Sequence, residues 1–373
     1  MRLLVWQWGR RGAGPRFAAC LNAGFREIGG IDAVLSLSSQ AELLGEPGGP
    51  TCELPMSTYD GFGGLLRQWA LAPFNIGKLA TRVRELRLDV ALCAMSGPLD
   101  LLMAAALRQA AVPFAVVVHD ADAHPGDGFP LQMVLQRALV RRADALVALT
   151  AHVADRLLVQ GLLGKDGCKT KTLIRSRLPP FAFGPPPPPP RAHGGPLRLL
   201  LFGRLLPYKG LDLLAETLTR LGPRADLVVR VVGSGPESAP LAALRLLPGV
   251  TVENRWVPES ELAALLAWSD AMVLPYREAS QSGAGAAAIA AGRWIVATRV
   301  GGMEEQMGGE KLVRFADPTS ECLAAALEAL LFAPPVREGT GCDVSAAWRT
   351  TAAELAAALA PLVVVPRETI MAT

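Results

Sequence analysis

The chain has 373 residues, of which 51% are hydrophobic and 19% charged, with a formal net charge of +3. This excludes a disordered chain, leaves enough apolar residue for two cores, and argues against nucleic acid as a partner. The charge is uneven: residues 1–180 carry 20 Lys/Arg against 15 Asp/Glu and the remainder 17 against 19, so the first half suits anionic lipid or phosphate.

Short apolar runs at residues 3–6, 34–37, 90–94, 114–118 and 145–149 read as strands, separated by helical patterns. A glycine-rich loop, Gly9-Arg10-Arg11-Gly12-Ala13-Gly14, follows the first of them. It lacks the spacing of a dinucleotide fingerprint. Residues 65–87 mix Trp69, Leu71, Phe74 and Ile76 with Arg67, Lys78, Arg82, Arg84 and Arg87, a pattern suited either to a membrane interface or to a helix packed on a sheet. The fourth run leads into His119-Asp120-Ala121-Asp122-Ala123-His124-Pro125-Gly126-Asp127, two histidines and three carboxylates at a strand end.

Pro179-Pro180 and the six prolines at 185–190 mark a linker, because such a run is extended and donates no ladder hydrogen bonds. A second series of strands follows at 197–202, 227–232, 250–253, 271–274 and 294–298. Nearly continuous apolar strands alternating with helices predict parallel sheets buried on both faces. The expected fold is therefore α/β, with two doubly wound, Rossmann-like domains facing a central cleft. The expected bounds are 1–180, a linker at 181–196, a second domain at 197–345, and a C-terminal helix and tail at 346–373 packing back on the first domain.

The first strand of the second series runs into Gly203-Arg204-Leu205-Leu206-Pro207-Tyr208-Lys209-Gly210 and then a helix. Arg204 offers a planar fork of donors and Lys209 a point charge at a strand's carboxyl end, beside a helix N-terminus; a diphosphate needs that combination. Further on, Pro275-Tyr276-Arg277-Glu278-Ala279-Ser280-Gln281-Ser282-Gly283 precedes a helix of small residues capped by Ser280 or Ser282.

Together these segments resemble the retaining group 1 glycosyltransferases, also called family four, of the GT-B fold. The resemblance covers the whole second domain and, more loosely, the first. It implies transfer of a hexose, with retention and without metal, from a UDP- or GDP-linked sugar to a lipid-linked or cell-surface glycan; that sugar is a co-substrate, and no cofactor is implied. The first domain is then the acceptor side and the second the donor side. By position, Arg204 and Lys209 hold the donor diphosphate, Glu278 the transferred sugar, and Ser282 and Gly283 offer helix-end amides. Gly12, Gly14 and Gly203 line the donor-binding cleft, His119 lies near the transferred sugar, and the resemblance implies that His119, Glu278, Arg204 and Lys209 are catalytic.

One departure stands out. The family's Glu, seven residues, Glu pattern ends here in Ala286, which removes the carboxylate that contacts the ribose. With Gly283, Ala284, Gly285, Ala287 and Ala288 around it, position 286 is expected to be open, so that Ala286→Glu would tighten nucleotide binding; were the site filled by neighbouring side chains instead, the buried carboxylate would lower stability. Asp120-x-Asp122 also matches a metal-binding pattern of the other large glycosyltransferase fold, but two cationic side chains make a metal unnecessary. Alternative readings are a soluble small-molecule acceptor, or a nucleotide-sugar-binding subunit that has lost catalysis.

The six cysteines, Cys20, Cys52, Cys93, Cys168, Cys322 and Cys342, form no Cys-x-x-Cys motif, and the histidines are scattered. No zinc site is expected, and the thiols are expected to be reduced. The first apolar run meets Arg10 and Arg11 too soon for a signal peptide, and the run at 352–365 falls short of a span. The expected location is the cytoplasm, with peripheral contact at the inner face of the plasma membrane.

Overall fold

The computed structural model describes residues 1–46, 48–124, 126, 131–164, 171–334 and 342–363. Pro125, Asp127 and Cys168 lie outside the described residues. The first half runs β1 (Arg2–Gln7), α1 (Ala13–Arg26), β2 (Asp32–Leu37), α2 (Gly61–Ala70), α3 (Ala72–Glu85), β3 (Val90–Cys93), α4 (Asp100–Gln109), β4 (Phe114–Val118), α5 (Gln132–Arg142), β5 (Ala145–Ala148), α6 (Ala151–Val159) and β6 (Thr172–Arg175). The second runs β7 (Leu197–Arg204), α7 (Leu211–Leu221), β8 (Leu227–Ser234), α8 (Ala239–Leu246), β9 (Val250–Asn254), α9 (Glu259–Trp268), β10 (Ala271–Leu274), α10 (Gly283–Ala290), β11 (Trp294–Thr298), α11 (Met303–Met307), β12 (Val313–Ala316) and α12 (Ser320–Phe332). The helix α13 (Val344–Leu359) follows, with a 3-10 turn at Ala360–Leu362 behind it.

Strands that are apolar at every position need cover on both faces, and here they have it. The described strands form two parallel six-stranded sheets, ordered β2-β1-β3-β4-β5-β6 and β12-β11-β10-β7-β8-β9. The inner strands β3, β4, β5, β10 and β11 are buried throughout, whereas β6 and β12 are half-exposed edges. Each sheet reverses its strand order beside its first strand, the switch point where such folds open a crevice. The two doubly wound halves expected from the sequence are thus present.

The helix α13 adds its apolar face to the first half. Trp348, Ala352, Leu355 and Leu359 are buried with Phe17, Leu21 and Phe25 of α1. A Cβ on Gly24 would stand 2.8 Å from the Trp348 carbonyl oxygen, so the close approach of the two helices requires glycine there. Trp348 also donates its indole N–H to the Pro180 carbonyl at 2.8 Å.

The proline-rich connection is anchored to the second half by two buried charges. Asp270 accepts the Arg191 and Arg198 amides and pairs with His193 at 2.9 Å. Arg293, 1% exposed, donates to the carbonyls of Ser269, Ala291 and Pro188. A charge this deep is tolerable because hydrogen-bond acceptors surround it.

The five described cysteines form no disulfide. No helix is long and apolar enough to cross a membrane among the described residues.

Candidate active site

Between the halves lies a cleft of about 860 Å³, lined by the β1–α1 loop and the ends of β3 and β4 on one side and by the ends of β7 and β8 and the loops after β9 and β10 on the other. Its walls are strand carboxyl ends, where helix N-termini also point.

The turn after β7 is held tightly. Gly210 has φ of 69°, and a Cβ there would fall 1.7 Å from the Pro275 carbonyl oxygen. Only glycine meets both conditions. The Arg277 amide donates to the Tyr208 carbonyl at 2.8 Å, so the two motif segments run against each other. Lys209 Nζ consequently lies 3.8 Å from the centroid of the Tyr276 ring and 5.0 Å from that of Tyr208. Arg204 donates to the Tyr208 hydroxyl at 3.1 Å. Burial pushes the Tyr208 phenol up to about 12, so it stays protonated beside two cations.

Ser282 caps α10: its hydroxyl accepts the Gly285 amide at 3.0 Å and meets the Tyr276 hydroxyl at 3.1 Å. Its own amide is engaged, donating to Gln306 Oε1 at 2.7 Å, and the residue is 1% exposed. Ser282 therefore organises the helix start rather than offering an open amide, a correction to the sequence reading. The next two amides, of Gly283 and Ala284, have no acceptor within the helix, and both residues line the cleft. Gly203 lines it too, with φ of 126° and no atom near its missing side chain.

His119 ends β4. Its Nε2 lies 2.8 Å from the Ala94 carbonyl, which can only accept, so this nitrogen carries the hydrogen. Nδ1 is then free to accept from Gln281 Nε2, at 3.4 Å, across the cleft. Burial holds the imidazole below the usual histidine range, hence neutral, and Phe17 packs edge-on to it at 5.0 Å.

His124 makes more contacts. Its ring stacks on Tyr208 with centroids 4.6 Å apart; Nε2 meets Asp120 at 3.1 Å and Nδ1 meets Glu278 at 3.4 Å. The Asp120 bond, joined by Glu278, holds His124 above the usual range despite its burial. Desolvation works to raise Asp120, but its bonds to His124 and Ser280 prevail and its carboxyl sits below the usual range. Glu278 itself is more than half exposed, at 57%.

Asp120 and Asp122 do not converge. Asp122 turns to Arg156 at 2.7 Å and Gln160 at 2.8 Å, while Asp120 turns to His124. Among the described residues no group of three or more His, Cys, Asp or Glu could hold a metal.

In the β1–α1 loop, Gly12 has φ of 79° and its missing side chain points toward Trp256 at 4.0 Å. Gly14 is buried, its missing Cβ against the Gln7 side chain. Further along the cleft, Arg16 pairs with Glu259 and with Glu46 at 3.1 Å, and lies 5.1 Å from the Phe183 ring.

Ala286 is not open. It is 1% exposed and shares a buried cluster with Leu178, Phe181 and Trp348, and its carbonyl accepts the Phe181 amide at 3.3 Å. Gly285 is just as close-packed: a Cβ there would meet Met307 Sδ at 2.6 Å. At Gly285 and Ala286 the small side chains of α10 admit neighbouring protein, not ligand, which overturns the expectation of space at 286.

The sequence reading missed Gln306, Gln281, Trp256 and the Arg16–Glu259 pair. Glu259 is 243 positions from Arg16, so no local pattern announces the pair. Gln306 follows the Gly301-Gly302 turn as one polar residue of a short helix, with nothing to mark it.

Comparison with known proteins assigns both halves. Residues 196–332 match the family model described as glycosyl transferases group 1, and residues 33–165 match the glycosyl transferase 4-like domain. No curated protein matches the sequence. Among solved structures, the fold is similar to Anabaena HepE in complex with UDP and glucose (16% identity, 96% of this chain and 95% of that one, TM-score 0.65). It is also similar to sucrose-phosphate synthase from Thermosynechococcus elongatus (12%, 97% and 94%, TM-score 0.64). A third is the lipopolysaccharide outer core galactosyltransferase WaaB in its apo form (12%, 89% and 90%, TM-score 0.59). At such identities the likeness establishes the fold.

Proposed function

We propose, from the premise that this chain is a glycosyltransferase of the GT-B fold, that it moves a hexose from a nucleotide-sugar to a lipid-linked or cell-surface glycan, with retention and without metal. The observation that carries the reading is the convergence, on one wall of the interdomain cleft, of Arg204, Lys209 and the start of α10. Two fixed cations and a helix N-terminus are what a leaving diphosphate needs as it gains charge. The neighbours crystallised with UDP make a UDP-sugar the first donor to test, ahead of GDP-sugars.

In this reading the bond from the anomeric carbon to the donor phosphate breaks, and the acceptor oxygen bonds to that carbon from the same face. The acceptor hydroxyl's proton passes to the departing phosphate oxygen. The Gly283 amide keeps the role the sequence assigned to it, and the Ala284 amide takes that of Ser282. Glu278 accepts from sugar hydroxyls, and His124 holds Glu278 toward the first half. His119, neutral, bridges to Gln281 rather than donating a proton.

The acceptor face supports a membrane substrate. On α2 and α3, Phe62 is 74% and Phe74 73% exposed, with Leu66 at 54%; the same helices carry Arg67, Lys78, Arg82 and Arg84. Soluble surfaces rarely group large apolar side chains with cations unless they meet a partner or an anionic bilayer. Incubating the purified protein with UDP- and GDP-hexoses and a prenyl phosphate-linked saccharide, and following nucleotide release, tests the proposal. Acceptor-dependent release supports it; no release from any donor counts against it.

A further inference from the structure

A second cavity, of about 780 Å³, opens in the first half between α2, α3 and the start of α4. It shares the β1–α1 connection with the cleft: Trp8 faces this cavity, while Gln7 and Gly12 face the cleft. Its floor is apolar. Trp8, Leu54, Leu79, Leu99 and Leu102 are each at most 6% exposed and line it. Its rim is basic, with Arg67, Lys78 and Arg82. Of the carboxylates nearby, Asp60 is taken by Arg10 and Gln40, and Glu85 pairs with Arg82 at 3.3 Å. Arg67 and Lys78 face no carboxylate among the described residues, so the rim is net positive.

An apolar floor beneath a cationic rim recognises one kind of molecule, an amphiphile with an anionic head. Phosphate on Arg67 and Lys78 would form charge-assisted hydrogen bonds. Alkyl carbons directly behind the phosphate would cover the leucines. The exposed Phe62 and Phe74, on the two helices that border the cavity, give the rest of such a chain an apolar route into a bilayer. A free sugar uses neither the floor nor the aromatic flank.

We infer that this cavity seats the phosphate and first carbons of a membrane lipid that carries the acceptor, with the sugar end reaching the cleft past the β1–α1 loop. The inference rests on the glycosyltransferase reading of the cleft and adds the place where its acceptor is held.

Decyl phosphate, kept below its micelle concentration, is the probe, titrated calorimetrically into the full chain. Inorganic phosphate, decanol, UDP and GDP are titrated alongside. Decyl phosphate is expected to bind at least about ten-fold more tightly than inorganic phosphate or decanol, and to lose about ten-fold or more in Arg67→Gln/Lys78→Gln. Asn75→Phe, which intrudes on the cavity from α3, is expected to weaken decyl phosphate as well. UDP binding should be unchanged in both variants, which shows them folded. Absent decyl phosphate binding, binding unaffected by either variant, or competition with UDP for one site would each overturn the inference. If UDP binds and decyl phosphate does not, the cavity assignment fails alone. If decyl phosphate binds in the cavity and no nucleotide binds at all, the transferase reading fails alone.

Discussion

Ala286→Glu puts the largest demand on the packing described above. The position is 1% exposed and backs onto Phe181, whose amide donates to its carbonyl. Glutamate adds a methylene and a carboxylate to a cluster that already includes Leu178 and Trp348. Overpacking alone costs about 1–3 kcal/mol. A carboxyl group without a partner adds about 1–3 kcal/mol even when protonated, and more when charged. The expected loss is therefore about 3 kcal/mol or more, which moves a urea midpoint by roughly 1 M. Urea unfolding followed by tryptophan fluorescence measures it, with Trp348 reporting from within the cluster. Ala286→Leu, which overpacks without a polar group, should lie between wild type and Ala286→Glu. A variant as stable as wild type that also binds nucleotide more tightly would refute the reasoning, because it would place this face of α10 against the ribose.

Lys209→Ala and Arg204→Ala should each lower turnover about ten-fold or more while leaving the thermal transition in place, since each removes a charge-assisted contact worth about 1.5–3 kcal/mol; steady-state nucleotide release checks this. Gln306→Ala should weaken nucleotide binding and cost roughly 1–3 kcal/mol of stability, because the Ser282 amide then loses its acceptor, as calorimetry and denaturation would show. His124 is held above its usual value, so its contribution is fully present below the unfolded value of 6.5 and is lost as pH rises through the folded one. The stability advantage of wild type over His124→Asn should accordingly be larger at about pH 6 than at about pH 8. Phe62→Ser/Phe74→Ser should abolish flotation with anionic liposomes at low salt while sparing nucleotide binding.

Much of the fold was legible because its inner strands are written as continuous apolar runs such as Phe-Ala-Val-Val-Val at 114–118. The edges were not. In β6, Thr172 and Arg175 face solvent, and in β12 Arg314 interrupts the run, so neither strand carries the signal of two-sided burial. The cleft-lining cations were readable because Arg204 and Lys209 sit in one turn, where local sequence fixes local geometry. What crosses the cleft was not readable. His124 meets Glu278 across 154 positions and Gln281 meets His119 across 162, contacts that exist only once both sheets are built. Ala286 was misread for a physical reason: a small side chain marks a close approach without saying whether ligand or protein makes it.

In the proposed reaction the interdomain cleft binds a nucleotide-sugar through Arg204, Lys209 and the start of α10. Calorimetric titration of UDP and GDP into wild type and into Arg204→Ala/Lys209→Ala tests it most directly. Wild type is expected to bind at least one of them, and the double variant, with an unchanged thermal transition, to lose about a hundred-fold or more in affinity. Equal affinity in the two proteins, or no binding of either nucleotide by wild type, would contradict it.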